Sequence, residues 1–365
     1  MTQQGTGSRV EGAEVVFCLP DTEHRRSGVR LWQQLGLPAE QVQFEQTHGG
    51  WELRIARPAV HRVEYLFEVC DMAGEQTTIM DPTNASTVAG VFGTHSVLTL
   101  PEYVAPTWLE AEPVAARLDD VVVESAAGDI AVQVWSPAGA VPDAALPLLM
   151  AHDGPELAAY AGLLHYVGVM IGAGTLPRLR LAMLSPGDDR SSRYAADEAY
   201  AGALADTVVT TVTGSYPTAG RPVLAGVSLG ALAALHAQWR HPGVFAGLFL
   251  QSGSFFTADT DPQEQEFVHF GPVTAFVATV LRAESWPTSV DGSPAVAMTC
   301  GYGEENVHNN RVMAARLREL GLAVQYAESP DGHNFTAWRD VLHPHLTGLL
   351  RRVWGARACS VNRSS

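Results

Sequence analysis

Basic residues are scarce in this 365-residue chain, in which 23 Lys and Arg stand against 39 Asp and Glu, for a formal net charge of −16 at pH 7. Nucleic acids and anionic membrane surfaces are recognised through clustered Lys and Arg. The deficit of positive charge therefore excludes both as expected partners. An anionic small substrate would likewise need local cations in its pocket.

Cysteine is also rare, with four widely spaced residues, Cys18, Cys70, Cys300 and Cys359, and no C-x-x-C pair. Such spacing is typical of reduced structural thiols rather than of a disulfide framework or a metal site. The histidines form no H-x-x-x-H or H-E-x-x-H pair. We therefore expect no metal and no other cofactor.

Long apolar segments are absent too. The most apolar run, LAAYAGLLHYVGVMIGAG (157–174), is too short and too mixed for a membrane span. The N-terminal residues lack the basic start and apolar core of a secretory signal. We therefore expect a cytoplasmic protein that does not cross a membrane.

Hydrophobic patterning divides the chain into two predicted domains, 1–115 and 116–365. The first holds short alternating segments such as WELRIARP and RVEYLFEV, separated by turn residues. This pattern predicts a small antiparallel β-sandwich of immunoglobulin-like type. The stretch VRLWQQLGLPAEQVQF is an exception, which we interpret as a short helix or an irregular crossing.

In the second domain, short apolar strands alternate with amphipathic helical runs. This alternation predicts an α/β fold with a mostly parallel sheet covered on both faces. The first two strands, DDVVVES and IAVQVWSPA, have no helix between them. We therefore expect the sheet to begin with an antiparallel pair.

One serine lies in a glycine-flanked turn between a strand and a helix. Gly226-Val227-Ser228-Leu229-Gly230 follows the apolar segment PVLA and precedes a helical run. Glycines two residues before and after Ser228 permit the tight turn that exposes a nucleophilic hydroxyl. We predict that Ser228 is a nucleophile; the alternative is a capping serine in an ordinary turn.

A serine nucleophile needs a base, and in this type of fold the chain order is serine, acid, histidine. His333 lies in SPDGHNFTAWRD, between the last predicted strand and the last predicted helix, where the base belongs. The other candidate histidines lie in or at the start of predicted helices: His236, His308, His343 and His345. We therefore predict His333 as the base.

The acid is expected directly after the strand AVAMTCG, where the segment GYGEEN offers Glu304 and Glu305. It would hold the imidazole tautomer and stabilise the imidazolium. Loop position favours Glu304. Glu305, and a Ser–His dyad without an acid, remain alternatives.

Two backbone N–H groups should stabilise the oxyanion. One is expected from Leu229, at the N-terminus of the helix that follows the nucleophile. The other is expected from the loop after the strand LPLLMA, in the segment HDGPE. Since Pro155 has no N–H, Gly154 is the predicted donor and Glu156 the alternative. A simple turn is the competing interpretation of this loop.

Together these segments resemble the enterochelin esterase family, the siderophore trilactone esterases of the α/β-hydrolase superfamily. In the catalytic region the resemblance rests on HDGPE, GVSLG, LQSGSFF, GEENVHNNR and DGHNFTAWRD, and in the N-terminal region on RPAVHRVEYLFEV, DPTNASTVAGVFGTHSVL and PEYVAPTWL. It implies an α/β-hydrolase preceded by a β-sandwich domain. It also implies a serine esterase that cleaves a ferric triscatecholate trilactone and releases iron in the cytoplasm.

The resemblance further implies substrate-binding residues. Arg190 matches an arginine that the family places beside its substrate, and Trp338 and Arg339 match the motif after the catalytic histidine. Where the family often has a carboxylate three residues after that arginine, this chain has Arg193. We expect Arg190 and Arg193 to bind an anionic substrate. Solvated loop arginines, and packing or capping by Trp338 and Arg339, are the alternatives.

Two other functions are compatible with these residues. The same machinery would hydrolyse a different small-molecule ester if the pocket were an apolar slot rather than a cluster of cations. A protein that kept the fold only for binding is the non-enzymatic alternative. Ser228, His333 and the adjacent glutamates argue against that alternative.

Overall fold

The computed structural model describes residues 7–141 and 143–358. Contacts divide the chain into two units. The first contains the chain up to Val104 together with Gly301–Glu305 and Pro330–Ala337; the second contains Ala105–Cys300, Asn306–Ser329 and the chain from Trp338 onward. Cys18, Cys70 and Cys300 are free thiols, and Cys359 lies outside the described residues. The predicted domain limits, 1–115 and 116–365, stay a prediction.

The first unit is built from two antiparallel sheets, ordered β1-β2-β5-β4 and β3-β6-β9-β8, with β7 also paired to β6. Apolar side chains of both sheets, among them Phe17, Leu53, Tyr65 and Phe67, form one core. This confirms the predicted antiparallel β-structure; the immunoglobulin-like topology stays a prediction. The strands are β1 (Arg9–Glu11), β2 (Glu14–Pro20), β3 (Arg26–Gln33), β4 (Glu45–Thr47), β5 (Gly50–Ala56), β6 (Arg62–Asp71), β7 (Gln76–Ile79), β8 (Thr87–Gly90) and β9 (Gly93–Thr99).

Of the stretch VRLWQQLGLPAEQVQF, the first five residues belong to a strand, so the interpretation as a short helix or irregular crossing was wrong for them, whereas the rest is irregular apart from a short 3-10 helix at Ala39–Gln41. In β3, Val29 and Leu31 are buried while Arg30 between them is exposed. This two-residue period is that of a half-buried strand. Pairing with β6 holds β3 in place from Arg26 to Gln33.

The second unit contains an eight-stranded sheet of order β10-β11-β13-β12-β14-β15-β16-β17. β10 and β11 pair antiparallel, which confirms the antiparallel start, and β12 to β16 form parallel pairs. The inner strands β12 to β15 are buried along their whole length. Burial on both faces is the reason for their continuous apolar sequence. The strands are β10 (Ala116–Val123), β11 (Ile130–Pro137), β12 (Leu148–Ala151), β13 (Arg180–Leu184), β14 (Val223–Val227), β15 (Gly247–Gln251), β16 (Ala295–Gly301) and β17 (Val324–Ser329).

Helices connect these strands. The most apolar run, 157–174, contains the end of one helix and the whole of a second, because Gly162 between them has a left-handed φ of 60°. None of the described helices is long and apolar enough to cross a membrane. The helices are α1 (Gly154–Tyr160), α2 (Leu163–Gly172), α3 (Arg190–Tyr194), α4 (Glu198–Gly202), α5 (Val209–Ser215), α6 (Leu229–Arg240), α7 (Phe270–Arg282), α8 (Val307–Glu319), α9 (Phe335–Asp340) and α10 (Thr347–Ala358).

Candidate active site

Ser228 connects a buried strand directly to a helix. β14 ends at Val227 and α6 begins at Leu229. Ser228 has φ 55° and ψ −124°, a conformation that residues other than glycine rarely adopt. Strain of this kind persists where the surrounding structure enforces it, and it is typical of the serine in a nucleophile elbow.

Close packing explains the glycines on either side of Ser228. A Cβ atom at Gly226 would stand 2.2 Å from the carbonyl oxygen of Gly230. A Cβ atom at Gly230 would lie 3.0 Å from Asp153 Oδ2 and 3.1 Å from His152 Cβ. The first distance is far inside van der Waals contact, so a larger residue at 226 would force the turn apart.

The end of β15 and the loop that follows it hold Ser228 in place. The Ser228 N–H donates to the Gln251 carbonyl oxygen at 2.9 Å, and the Ser254 N–H donates to the Ser228 carbonyl oxygen at 3.2 Å. The hydroxyl oxygens of Ser228 and Ser254 are 3.3 Å apart. The parallel register, in which Val227 pairs with Gln251, brings the residues after both strands together. Sequence reasoning did not single out Ser254, because its position depends on this strand pairing.

The structure brings the predicted base and the predicted acid into contact. His333 Nδ1 lies 2.5 Å from Glu304 Oε2, and the Glu304 side chain is fully buried while that of His333 is 28% exposed. The other carboxylate oxygen, Glu304 Oε1, accepts the N–H of Gly301 at 2.5 Å. A hydrogen on Nδ1, donated to the carboxylate, leaves His333 Nε2 as the atom that accepts a proton.

The competing candidates have other environments. Glu305 and His308 are exposed. His236 is buried, and its ring meets that of Phe276 edge-on with 4.7 Å between centroids. His343 Nδ1 lies 3.0 Å from the hydroxyl of Thr347.

The two predicted oxyanion donors are the first residues of α1 and α6, Gly154 and Leu229. N–H groups at the start of a helix have no acceptor within the helix. Gly154 packs tightly, since a Cβ atom there would lie 2.4 Å from Met183 Cα, and Asp153 before it is left-handed with φ 50° and ψ 34°. The role of these two N–H groups in catalysis stays a prediction.

His152 anchors this loop to the turn around Ser228. Its Nδ1 lies 3.0 Å from the carbonyl oxygen of Gly230, and its ring packs on Tyr194 with 4.8 Å between centroids. Burial lowers the pKa of His152 to about 4. The ring is therefore neutral at pH 7 and acts as a hydrogen-bond donor to Gly230 rather than as a cation.

Arg190 and Arg193 both bind protein groups. Arg190 forms a bidentate pair with Asp153, at 2.6 Å from Nε to Oδ1 and 2.8 Å from Nη2 to Oδ2. Arg193 donates to the carbonyl oxygens of Asp129 at 2.9 Å and Pro186 at 3.4 Å. The charge of Arg190 is thus compensated by a buried carboxylate. Substrate binding by either arginine stays a prediction.

Trp338 and Arg339 lie on α9, a few residues after His333. The Trp338 indole N–H donates to Ser252 Oγ at 2.9 Å, and its carbonyl oxygen accepts from the Gln251 side chain at 3.1 Å. Arg339 Nε donates to Asp340 Oδ1 at 2.8 Å. The Trp338 bonds tie α9 to the loop after β15, and a substrate contact for either residue stays a prediction.

No metal centre is formed in the described part of the chain: no three His, Cys, Asp or Glu residues there are grouped so as to hold an ion.

Comparison with protein families identifies an esterase. Residues 124–349 match the model of the family described as "Putative esterase". No curated protein sequence matches the chain.

Solved structures with the same fold include enterobactin esterases. The enterobactin esterase of Shigella flexneri, determined in the presence of enterobactin, matches with a TM-score of 0.73 and 18% identity over 97% of each chain. The ferric enterobactin esterase of Salmonella typhimurium matches with 0.72 and 20% identity over 93% of each chain. A ferulic acid esterase matches with 0.53 and 17% identity, over 65% of this chain and 98% of that one. At these identities the likeness establishes the fold.

Proposed function

Because the chain belongs to this esterase family, we propose that it cleaves carboxylic esters with Ser228 as nucleophile, His333 as base and Glu304 as acid. The observation that carries the proposal is the 2.5 Å contact between His333 Nδ1 and the buried Glu304 carboxylate. The strained turn at Ser228 supports its role as nucleophile. The chain order serine, acid, histidine, with each residue shortly after a strand of the eight-stranded sheet, supports the same assignment.

In the proposed reaction, His333 Nε2 takes the proton of Ser228 as Oγ attacks the ester carbonyl carbon. Glu304 stabilises the imidazolium that forms. The N–H groups of Leu229 and Gly154 receive the oxyanion. His333 then protonates the leaving alcohol, and a water molecule that it deprotonates releases the acid and restores Ser228.

For the substrate we propose a ferric siderophore of the triscatecholate trilactone type, hydrolysed in the cytoplasm with release of its iron. The fold match to enterobactin esterases over 93% or more of both chains supports this class. The N-terminal residues 1–115, for which we propose an immunoglobulin-like topology, take part in that match. Residues 116–365 would then be the hydrolase domain.

A second substrate class is favoured by the charges beside the proposed oxyanion donors. Arg190 is neutralised by Asp153, and Arg193 donates to two carbonyl oxygens. A trianionic complex requires positive charge. The Asp153 carboxylate offsets that of Arg190, and the carbonyl oxygens occupy N–H donors of Arg193 without neutralising it. The same machinery acting on an uncharged, non-siderophore ester is therefore the alternative.

Two assays test the proposal. Labelling by a fluorophosphonate probe reports the nucleophile, and mass spectrometry after incubation with an aryl ester or a ferric triscatecholate trilactone reports the substrate. We expect labelling and hydrolysis by the wild type, loss of both in Ser228→Ala, and neither effect in Ser125→Ala, a serine in the turn between β10 and β11.

The outcomes separate the alternatives. Stepwise release of linear trimer, dimer and monomer would support the siderophore substrate. Cleavage of the aryl ester alone would support the serine esterase mechanism and contradict the proposed siderophore substrate. A wild type that is neither labelled nor active would contradict the enzymatic proposal and favour a binding protein.

A further inference from the structure

The loops that carry Glu304 and His333 are attached to the N-terminal sheets. Gly301–Glu305 and Pro330–Ala337 belong to the same unit as β1 to β9. The N–H of His61, the residue before β6, donates to the carbonyl oxygen of Pro330 at 2.6 Å. The His61 carbonyl oxygen in turn accepts the Leu100 N–H at 2.8 Å. The beginning of β6 is therefore bonded to the loop that contains His333.

A buried ion pair reinforces this attachment. Arg62, the first residue of β6, places Nη2 2.5 Å from Asp331 Oδ2, and the two side chains are 4% and 3% exposed. The guanidinium also lies 4.6 Å from the ring centroid of Tyr103. Removing two charges from water offsets most of their mutual attraction, so a buried pair adds little net stability. The pair instead fixes the position of Asp331 relative to the start of β6.

Asp331 is bonded to both loops. Its carbonyl oxygen accepts the N–H of Gly303, the residue before Glu304, at 3.1 Å. Its Oδ1 accepts the N–H of Gly332, the residue before His333, at 2.9 Å. A Cβ atom at Gly301 would lie 2.3 Å from the Asp331 carbonyl oxygen, so the loops 301–305 and 330–337 are closely packed against each other.

The charge of Arg62 keeps the Asp331 carboxylate able to accept the Gly332 N–H. Burial raises the pKa of Asp331, and the positive charge of Arg62 opposes that rise. Without the guanidinium, the carboxylate would be buried with no counterion and would take up a proton more readily. A protonated Asp331 accepts hydrogen bonds more weakly, which would loosen Gly332 and the histidine after it.

We propose that Arg62 is a positioning residue for ester hydrolysis. Through Asp331 it fixes the two loops on which the Glu304 carboxylate and the His333 imidazole meet. This inference rests on the proposed function for its effect on rate. The N-terminal sheets then contribute to catalysis, because they orient the His333 imidazole.

The test compares Arg62→Met and Arg62→Lys with the matched control Arg54→Met. Arg54 lies on β5 in the same unit and pairs with Glu11 and Glu52 at the surface. Aryl ester kinetics are measured per active site, counted by fluorophosphonate labelling. In Arg62→Met we expect kcat to fall about 10- to 100-fold, the effect of a displacement near 1 Å at the reacting groups. KM should stay within about threefold, since ground-state binding is untouched.

The conservative variant and a second readout make the test specific. Arg62→Lys keeps the charge and should recover part of kcat, and Arg54→Met should match the wild type. Hydrogen exchange by mass spectrometry should rise in 301–305 and 330–337 of Arg62→Met. If that variant does not fold, Asp331→Asn, which keeps size and an acceptor oxygen, takes its place with the same expectations.

An unchanged kcat per labelled site in folded Arg62→Met or Asp331→Asn would overturn the inference, and so would a KM increase that accounts for the whole loss. A wild type without esterase activity would contradict the proposed function instead. Hydrogen exchange would still decide whether Arg62 holds the two loops, so the two failures are distinguishable.

Discussion

Replacing Glu304 by Gln tests the proposed acid with the smallest change in shape. The Glu304 side chain is fully buried, with Oε2 facing His333 Nδ1 and Oε1 accepting the Gly301 N–H. In Glu304→Gln one of these two atoms becomes an NH₂ group. Because the Gly301 N–H requires an acceptor, the amide nitrogen would turn toward His333.

An NH₂ group facing Nδ1 reverses the histidine tautomer. Nδ1 must then accept a hydrogen bond, which puts the ring hydrogen on Nε2, and Nε2 can no longer take the Ser228 proton. The corresponding change in a serine protease lowers kcat about 10⁴-fold. Since each factor of ten is about 1.4 kcal/mol, a 10³-fold loss here is about 4 kcal/mol of transition-state stabilisation. We expect kcat for an aryl ester to fall at least about 10³-fold with little change in KM.

The matched control is Glu305→Gln, at the next position and exposed to solvent. It should keep kcat within about twofold of the wild type, because a solvated carboxylate contributes little to a partner that it does not contact. Circular dichroism and urea unfolding would show that both variants are folded. A folded Glu304→Gln enzyme with more than about a tenth of the wild-type kcat would refute the triad and favour a Ser–His dyad.

Three further predictions concern the turn and the loop around it. The pKa of His152 is about 4 in the folded chain and near 6.5 in the unfolded chain, so the unfolded chain binds the proton first as the pH falls. The free energy of unfolding should therefore rise between pH 4 and pH 6.5 by up to about 3 kcal/mol. In His152→Asn, the free energy measured by urea unfolding should depend less on pH, and an unchanged pH dependence would contradict this. Gly226→Ala should lower the free energy of unfolding by about 3 kcal/mol and abolish fluorophosphonate labelling at Ser228. The control Gly214→Ala, whose added Cβ meets no atom within 4 Å, should have neither effect. Arg190→Met should lower kcat for neutral and anionic esters alike if the arginine only holds Asp153, and a selective rise in KM for the ferric siderophore would show that it binds substrate.

The features that the sequence predicts well are those determined by neighbours in the chain. The turn at Ser228 needs glycine at 226 because the backbone of Gly230 approaches it within the same few residues, whereas Gly230 lies against the side chains of His152 and Asp153, which are distant in sequence. The parallel strands are apolar throughout because both faces are buried, and this shows in any short window. β3 was harder, since its alternation of Val29, Arg30 and Leu31 is followed by Trp32 and polar residues that obscure the period.

Side-chain pairs between residues far apart in the chain are not visible in the sequence pattern. Arg190 was expected to meet an anionic substrate, yet its carboxylate partner Asp153 lies 37 positions earlier in the chain. Arg62 and Asp331 are separated by 269 positions, and their pairing follows from the fold of the first unit alone. No periodicity or composition marks an arginine whose partner is brought to it by tertiary structure.

Packing gives Glu304 and Glu305 different surroundings that the local sequence does not show. Adjacent residues in an irregular loop point in different directions, so position alone ranks them without separating their chemistry. In the structure the Gly301 N–H donates a hydrogen bond to Glu304 Oε1. Gly301 also packs closely against the Asp331 carbonyl oxygen, so the loop that contains His333 lies against the same turn. Glu304 is thereby both desolvated and aimed at His333, while its neighbour stays in water. The Gly301 N–H thus orients the Glu304 carboxylate. A Cβ atom at position 301 would lie 2.3 Å from the Asp331 carbonyl oxygen and 3.0 Å from Glu304 Oε1, so Gly301→Ala should reduce kcat although both glutamates are kept.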